Sequence, residues 1–352
     1  MDYDDKKRIE WVDHAKGICI ILVVMMHTTL GIEKATSNLT WLHPFIEWAR
    51  PFRMPDFFLI SGLFLSARIN RPWREYVDGK VLHFAYFYLL WMSIQMLTKA
   101  YGIYHDQGAT AVLATYALGL IEPFGTLWFI YILAVFFVVT KATRNVSPVL
   151  IFAIAALLEI APIETGWSLI DESAARYVYF FTGYWLAQFV FNFASAMAAR
   201  SVVQLFAGLI VWGLCNYVTV HLGWATLPVA SLLLGFIGAG AVITAGVVLS
   251  KTNLAGLMRY CGQNSIVIYL SFFVFMAAGR SAALNLAPRL DPGVAALAVT
   301  GFAVLGPLML FWLTRGTMLS FLFQRPAWAK LAKPGKRWHS GGHVKSLNVE
   351  AR

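Results

Sequence analysis

The sequence predicts an all-α, polytopic membrane protein of about ten transmembrane helices with both termini on the cytoplasmic side. Three observations predict this. The chain is 59% hydrophobic and only 13% charged, against roughly 25% charged in soluble domains, and its mean hydropathy is +0.64. Apolar runs of about 20 residues, the length that crosses a hydrocarbon core, recur along nearly all of its 352 residues. Lys and Arg collect in alternate connections, as they do where positive charge stays inside.

The first apolar run, roughly 16–33, lacks a small-residue cleavage site and contains His27, so it reads as a mature helix and not a signal peptide. The second, roughly 51–67, opens on Pro51, Arg53, Pro55 and Asp56, and its outer end is expected to be irregular and buried in protein. The next spans fall roughly at 81–98, 124–140, 148–163 and 177–194. The last four fall roughly at 203–220, 226–249, 263–282 and 293–314. A shorter apolar piece, 109–121, is expected to lie in the interface or to re-enter. With the N-terminus inside, only Lys34, Arg50, Arg53, Lys99, Arg176, Arg280 and Arg289 of the 28 Lys and Arg residues fall outside. No inverted repeat of the kind found in many transporters is visible.

The chain therefore reads as one transmembrane domain over 1–332, followed by a basic, Gly-rich tail over 333–352 that is expected to be disordered or to lie on anionic lipid. The net charge of +10 does not point to nucleic acid, because the cations sit between apolar segments. Cys19, Cys215 and Cys261 fall in or beside apolar segments without metal-ligand spacing, so they read as small core residues with no disulfide framework and no metal site. Nothing in the sequence sets the oligomeric state.

The strongest chemical signal lies in the first span. His27 follows Lys16 by eleven residues, which leaves about 20° of rotation and about 16 Å of rise between them on one helix face. Asp13 shares that stripe, about 40° away by the same count. An ionisable group deep in a membrane helix is a functional-site candidate by default, and a neutral imidazole suits a general base. The plain alternatives are a polar residue bonded to a neighbouring helix for His27, and a positive-inside anchor for Lys16.

Three further stretches carry polar groups. In the second span, Arg53 at the proline-rich entrance suits an anionic or hydroxyl-rich ligand, while Ser61-Gly62 reads first as close helix packing and only second as a contact to a reacting oxygen. In Gly125-Thr126-Leu127-Trp128, the indole reads as an interfacial anchor or as a stacking surface for a sugar. In Gly262-Gln263-Asn264-Ser265-Ile266-Val267-Ile268-Tyr269-Leu270, Asn264 and Ser265 read as helix caps, and Tyr269 as a buried phenol that needs a partner.

Together these stretches resemble the acyltransferase-3 family of integral membrane O-acyltransferases. The resemblance rests on Asp13-x-x-Lys16-Gly17-Ile18, Val23-Val24 and His27, then Arg53-Met54-Pro55-x-Phe57-Phe58-x-Ile60-Ser61-Gly62, then Leu127-Trp128-Phe129. Gly262-x-Asn264-Ser265-Ile266-x-Ile268-Tyr269-Leu270 completes it, and the order runs through all the spans. Family members usually carry Arg where this chain has Lys16. Many also carry a second His just after the last motif, where this chain has Ser271, Phe272 and Phe273.

The resemblance implies transfer of an acyl group, usually acetyl, from cytoplasmic acyl-coenzyme A to a hydroxyl of a glycan or other envelope acceptor, in the bacterial inner membrane. Acetyl-coenzyme A or another acyl-coenzyme A is then a donor substrate and not a resident cofactor. It further implies His27 as general base, Lys16 and Asp13 on the donor side, and Arg53, Ser61 and Trp128 as acceptor or oxyanion contacts. The competing class is a multispan transporter or flippase in which His27 relays protons or binds cargo.

Overall fold

The computed structural model describes residues 9–252, 255–287 and 289–331, and the expected tail over 333–352 lies outside these residues. All regular structure in them is helical. Seven helices are long and apolar enough to cross a membrane, and shorter apolar helices accompany them. This is the architecture of a polytopic membrane protein, since a helix satisfies its own backbone in lipid.

The first helix, α1 (Glu10–Thr36), carries Asp13, Lys16 and His27. It is followed by α2 (His43–Gly62), α3 (Trp73–Val77), α4 (His83–Gln107) and the short α5 (Ala109–Leu118). Next come α6 (Trp128–Ala142), α7 (Pro148–Ile160), α8 (Ser168–Trp185) and α9 (Ala187–Ala198). The chain continues through α10 (Val202–His221), α11 (Pro228–Ser250), α12 (Gly256–Gln263), α13 (Ser265–Leu286) and α14 (Pro292–Thr314).

Four features depart from the sequence-based expectation. The entrance to the second span is not irregular: α2 is helical from His43 and runs through both Pro51 and Pro55. Each proline removes one amide donor, and burial of the segment among neighbouring helices makes this tolerable. The span expected at 177–194 is two helices, α8 and α9, that meet at Leu186 (φ −100°, ψ 25°). The span expected at 263–282 is the continuous helix α13, and the short α12 precedes it across a junction at Asn264 (φ −111°, ψ 22°). Asn264 occupies the cap position, but its side chain donates back to the Tyr260 carbonyl instead of capping α13. Finally, Cys19 and Cys261 are core residues, whereas Cys215 is exposed on α10.

The core is organised around α1, which packs against α2, α11, α12, α13 and α14. Small residues set how closely the backbones approach. A Cβ on Gly262 of α12 would overlap the Asp13 carbonyl of α1. Gly62 of α2 and Gly183 of α8 play the same part for each other's helix, where added Cβ atoms would overlap the carbonyls of Phe180 and Leu59. The rotation of α1 is then pinned beside His27, where the Thr28 and Thr300 hydroxyls meet at 2.6 Å between α1 and α14.

A single π-helical turn, Asp78–Leu82, joins α3 to α4. Arg325 docks on it, donating to the Asp78 carbonyl at 2.7 Å and pairing with the Asp78 carboxylate at 2.9 Å. Both side chains are largely buried, so the pair ties the segment after α14 back to α3 and α4.

Candidate active site

Residues from α1, α2, α6, α8 and α13 line a cavity of about 350 Å³. From α1 it takes Ile20, Val23 and His27 on one helical stripe. Lys16 is the next position down that stripe, one turn and about 6 Å below Ile20. The cavity thus starts beside His27 and reaches along α1 to within one turn of Lys16. Phe272 packs its ring against the imidazole, with centroids 5.4 Å apart, and no side chain or carbonyl among the described residues hydrogen-bonds to His27. Phe272 lies in the Ser271-Phe272-Phe273 stretch that follows Leu270. Here that stretch supplies an apolar wall, and the Ser271 hydroxyl is spent on the Val267 carbonyl.

Facing His27 from α2 is Arg53, which is 7% exposed. One Nη donates weakly to the Ile46 carbonyl at 3.4 Å, and its Nε finds no acceptor among the described residues. Leaving a buried donor of a charged group unpaired costs on the order of 1–3 kcal/mol or more, so this N–H is an unmet demand in the wall of the cavity. Arg50, one turn earlier, and Arg176 of α8 also line the cavity. Both are paired, Arg50 with Glu47 at 3.3 Å and Arg176 with Glu172 at 3.1 Å. Arg53 alone of the three has no carboxylate within ion-pair distance among the described residues.

Trp128 and Phe129 form the third wall. They are aimed by Tyr269 of α13, whose hydroxyl donates to the Thr126 carbonyl at 2.5 Å and accepts from the Phe129 amide at 3.1 Å. Gln95 of α4 adds a bond to the Thr126 hydroxyl at 3.2 Å. The Leu127-Trp128-Phe129 and Ile268-Tyr269-Leu270 stretches, far apart in sequence, are therefore one hydrogen-bonded unit. Trp128 belongs to this cavity wall, at the start of α6.

The start of α8, which brings Glu172 and Arg176, is held by a carboxylate clamp. Asp171 accepts from the Thr165 amide and hydroxyl, both at 2.8 Å, and from the Gly166 amide at 3.0 Å. These donors hold its carboxyl below the usual carboxylate range.

The structure thus brings His27, Arg53 and Trp128 together and keeps the other expected residues apart from them. Ser61 does not line the cavity, and its hydroxyl donates to the Phe57 carbonyl of its own helix at 2.7 Å. Asp13 is buried against α12, where it accepts from Gln263 at 3.2 Å. Lys16 lies 5.9 Å from the Phe64 ring, below the cavity. No group of three or more His, Cys, Asp or Glu side chains is placed to hold a metal ion among the described residues. Arg50, Glu172 and Arg176 are site residues that the sequence did not single out. The one signal for Arg50 is its spacing of three from Arg53, which puts both on one helix face.

The family model described as an acyltransferase domain matches residues 9–312, which is most of the chain. The chain belongs to the acyltransferase-3 family. Nodulation protein NolL of Sinorhizobium fredii is 29% identical over 73% of this chain and 75% of its own length. Inner membrane protein YcfT of Escherichia coli is 26% identical over 75% of this chain and 78% of its own length. A second NolL, from Mesorhizobium japonicum, is 23% identical over 73% of this chain and 74% of its own length. No solved structure matches the chain. As an acyltransferase-3 protein it is a membrane-embedded acyltransferase, and the transporter reading gives way to an enzyme that handles an acyl donor and an acceptor.

Proposed function

We propose that this acyltransferase moves an acyl group, acetyl by preference, from cytoplasmic acyl-coenzyme A to a hydroxyl of a glycan or other envelope acceptor, with His27 as general base. The observation that carries the reading is one cavity lined by an imidazole and by a buried guanidinium whose Nε–H, like the imidazole, has no hydrogen-bond partner among the described residues. The similarity to YcfT, an inner membrane protein, supports placing it in the bacterial inner membrane.

The chemistry follows from these two groups. An acceptor hydroxyl donates to the neutral imidazole of His27, and its oxygen attacks the thioester carbonyl as the proton passes to the ring. The carbonyl oxygen gains negative charge, and the Nε–H of Arg53 stabilises it in a site poor in water. When the tetrahedral intermediate collapses, the C–S bond breaks and the sulfur takes the proton back from the imidazolium, giving an ester and free coenzyme A. Ser61, spent on Phe57, does not serve as the oxyanion donor in this reading. Lys16 meets a donor phosphate near the membrane edge, and the thioester arm extends past Ile20 and Val23 to His27. Asp13 holds α12 against α1 beside that mouth. Trp128 offers its face to the acceptor.

The test is transfer by the purified protein in liposomes, with radiolabelled acetyl- and succinyl-coenzyme A supplied side by side. The reading expects label to enter a hydroxyl acceptor as an alkali-labile ester, with acetyl preferred. Free coenzyme A formed from neither donor, whatever the acceptor, would refute it.

A further inference from the structure

A second and larger cavity, about 850 Å³, lies between α9 and α10, with α11 as its floor. Helix α9 packs on α8 and α11, and α10 packs on α11 and α2, so the two diverge from the short turn Ala199–Ser201. The cleft runs from Arg200 at that turn to Trp212, twelve residues along α10 and about 18 Å, close to the depth of one leaflet of a roughly 30 Å core. Its walls are aromatic and aliphatic, with Phe189, Phe193 and Phe236 prominent. The two threonines in it are internally satisfied, Thr182 by the Val178 carbonyl and Thr244 by the Gly240 carbonyl. Besides the Trp212 indole, the remaining polar side chain is Gln204 in the first turn of α10, whose Oε1 accepts from the Ser201 amide at 3.3 Å, so charge enters the cleft only at the turn. There the Arg200 guanidinium is exposed without a partner among the described residues, and Lys251 sits beside it, its ammonium bonded to the Arg200 carbonyl at 2.6 Å.

We infer that this cleft seats one anionic phospholipid of the inner leaflet, with an acyl chain against α11 and the headgroup phosphate on Arg200 and Lys251. Three observations converge on that occupant: a mostly apolar slot of leaflet depth, charge confined to one end of its lining, and two cations at that end on the side assigned as cytoplasmic by the Lys and Arg distribution, where anionic lipids attract them. The seat has a structural consequence for the active site. Leu59 of α2 and Trp212 form its deep wall, and Trp212 packs edge-on against Phe52 with ring centroids 5.1 Å apart. The neighbour of Phe52 is Arg53, so a seated lipid chain backs the segment of α2 that holds the guanidinium.

Native mass spectrometry of the full chain released from nanodiscs of mixed phosphatidylglycerol and phosphatidylethanolamine tests this. The wild type should retain about one phosphatidylglycerol, selected at least fivefold over its share of the bilayer. Gly208→Phe supplies the plug: Gly208 lines the cleft, and a Cβ there meets nothing within 4 Å, so the variant should fold while retained lipid falls at least fivefold. Arg200→Gln combined with Lys251→Gln should keep a bound lipid but lose the headgroup preference. Retention unchanged in the plugged variant, selection unchanged in the double variant, or a phosphatidylethanolamine-like occupant in the wild type would each overturn the assignment.

Discussion

His27 of α1 and Arg53 of α2 line the same cavity, and among the described residues neither the imidazole nor the Arg53 Nε–H has a hydrogen-bond partner. That pairing divides the work of acyl transfer between two helices that pack directly on each other. Arg53→Gln should therefore lower kcat by about 10²–10³, as removal of one oxyanion donor does, with much less change in the donor KM. Arg53→Lys keeps the charge but not the geometry, and should recover only part of the loss. Steady-state kinetics on detergent-purified variants checks both.

Lys16 is assigned to the donor and not to the chemistry. Lys16→Arg, which installs the residue most family members carry, should leave activity near wild type. Lys16→Glu reverses a charge-assisted contact of about 1.5–3 kcal/mol, so the donor KM should rise about tenfold to a hundredfold. Titration of acyl-coenzyme A at saturating acceptor separates the two, and an unchanged KM in Lys16→Glu removes Lys16 from the donor site.

Backbone contact between α1 and α12 makes a sharper demand on Gly262 than on any polar residue near it. Any Cβ there overlaps the Asp13 carbonyl, and relief requires the helices to separate. Gly262→Ala should destabilise the fold by at least the 1–3 kcal/mol or so typical of overpacking, seen as a lower melting temperature in detergent. Gly208→Ala, in open space, is the control and should melt like the wild type.

The Asp171 clamp has a pH signature. Its folded-state pKa is depressed by donors from Thr165 and Gly166. The clamp's contribution is therefore present above the unfolded carboxyl value, near 3.9, and is lost as pH falls through the lower folded value. At neutral pH the loop 163–168 should resist proteolysis in the wild type and be cut faster in Asp171→Asn. In the wild type the same susceptibility should appear only in strong acid.

Much of this was legible from the chain alone, for physical reasons that differ from residue to residue. Lys16, Ile20, Val23 and His27 share a stripe because helix rotation is fixed by backbone geometry, and a 20-residue apolar run leaves little choice but helix. Tyr269 was readable as a phenol in need of a partner, but which partner was not, because the Thr126 carbonyl reaches it only through the packing of α13 beside the start of α6. Arg176 and Glu172 were invisible for the same reason: α8 crosses α2 at Gly183 and Gly62, and only that crossing carries them to the cavity. The break at Leu186 has no Gly or Pro at the junction itself, and the nearby Gly183 lies inside α8, where it serves the packing on α2. The prolines of α2 misled in the other direction, since Pro51 and Pro55 look like helix breakers in isolation and are accommodated by the surrounding bundle.

The central claim is that the His27 imidazole takes the acceptor proton. Its most direct test is acceptor-dependent release of coenzyme A from acetyl-coenzyme A by His27→Ala, alongside wild type, after both are shown to insert and melt alike. The account predicts loss of at least the 10²–10⁴-fold that a positioned general base contributes, with donor binding intact. Turnover within a few-fold of wild type would contradict it.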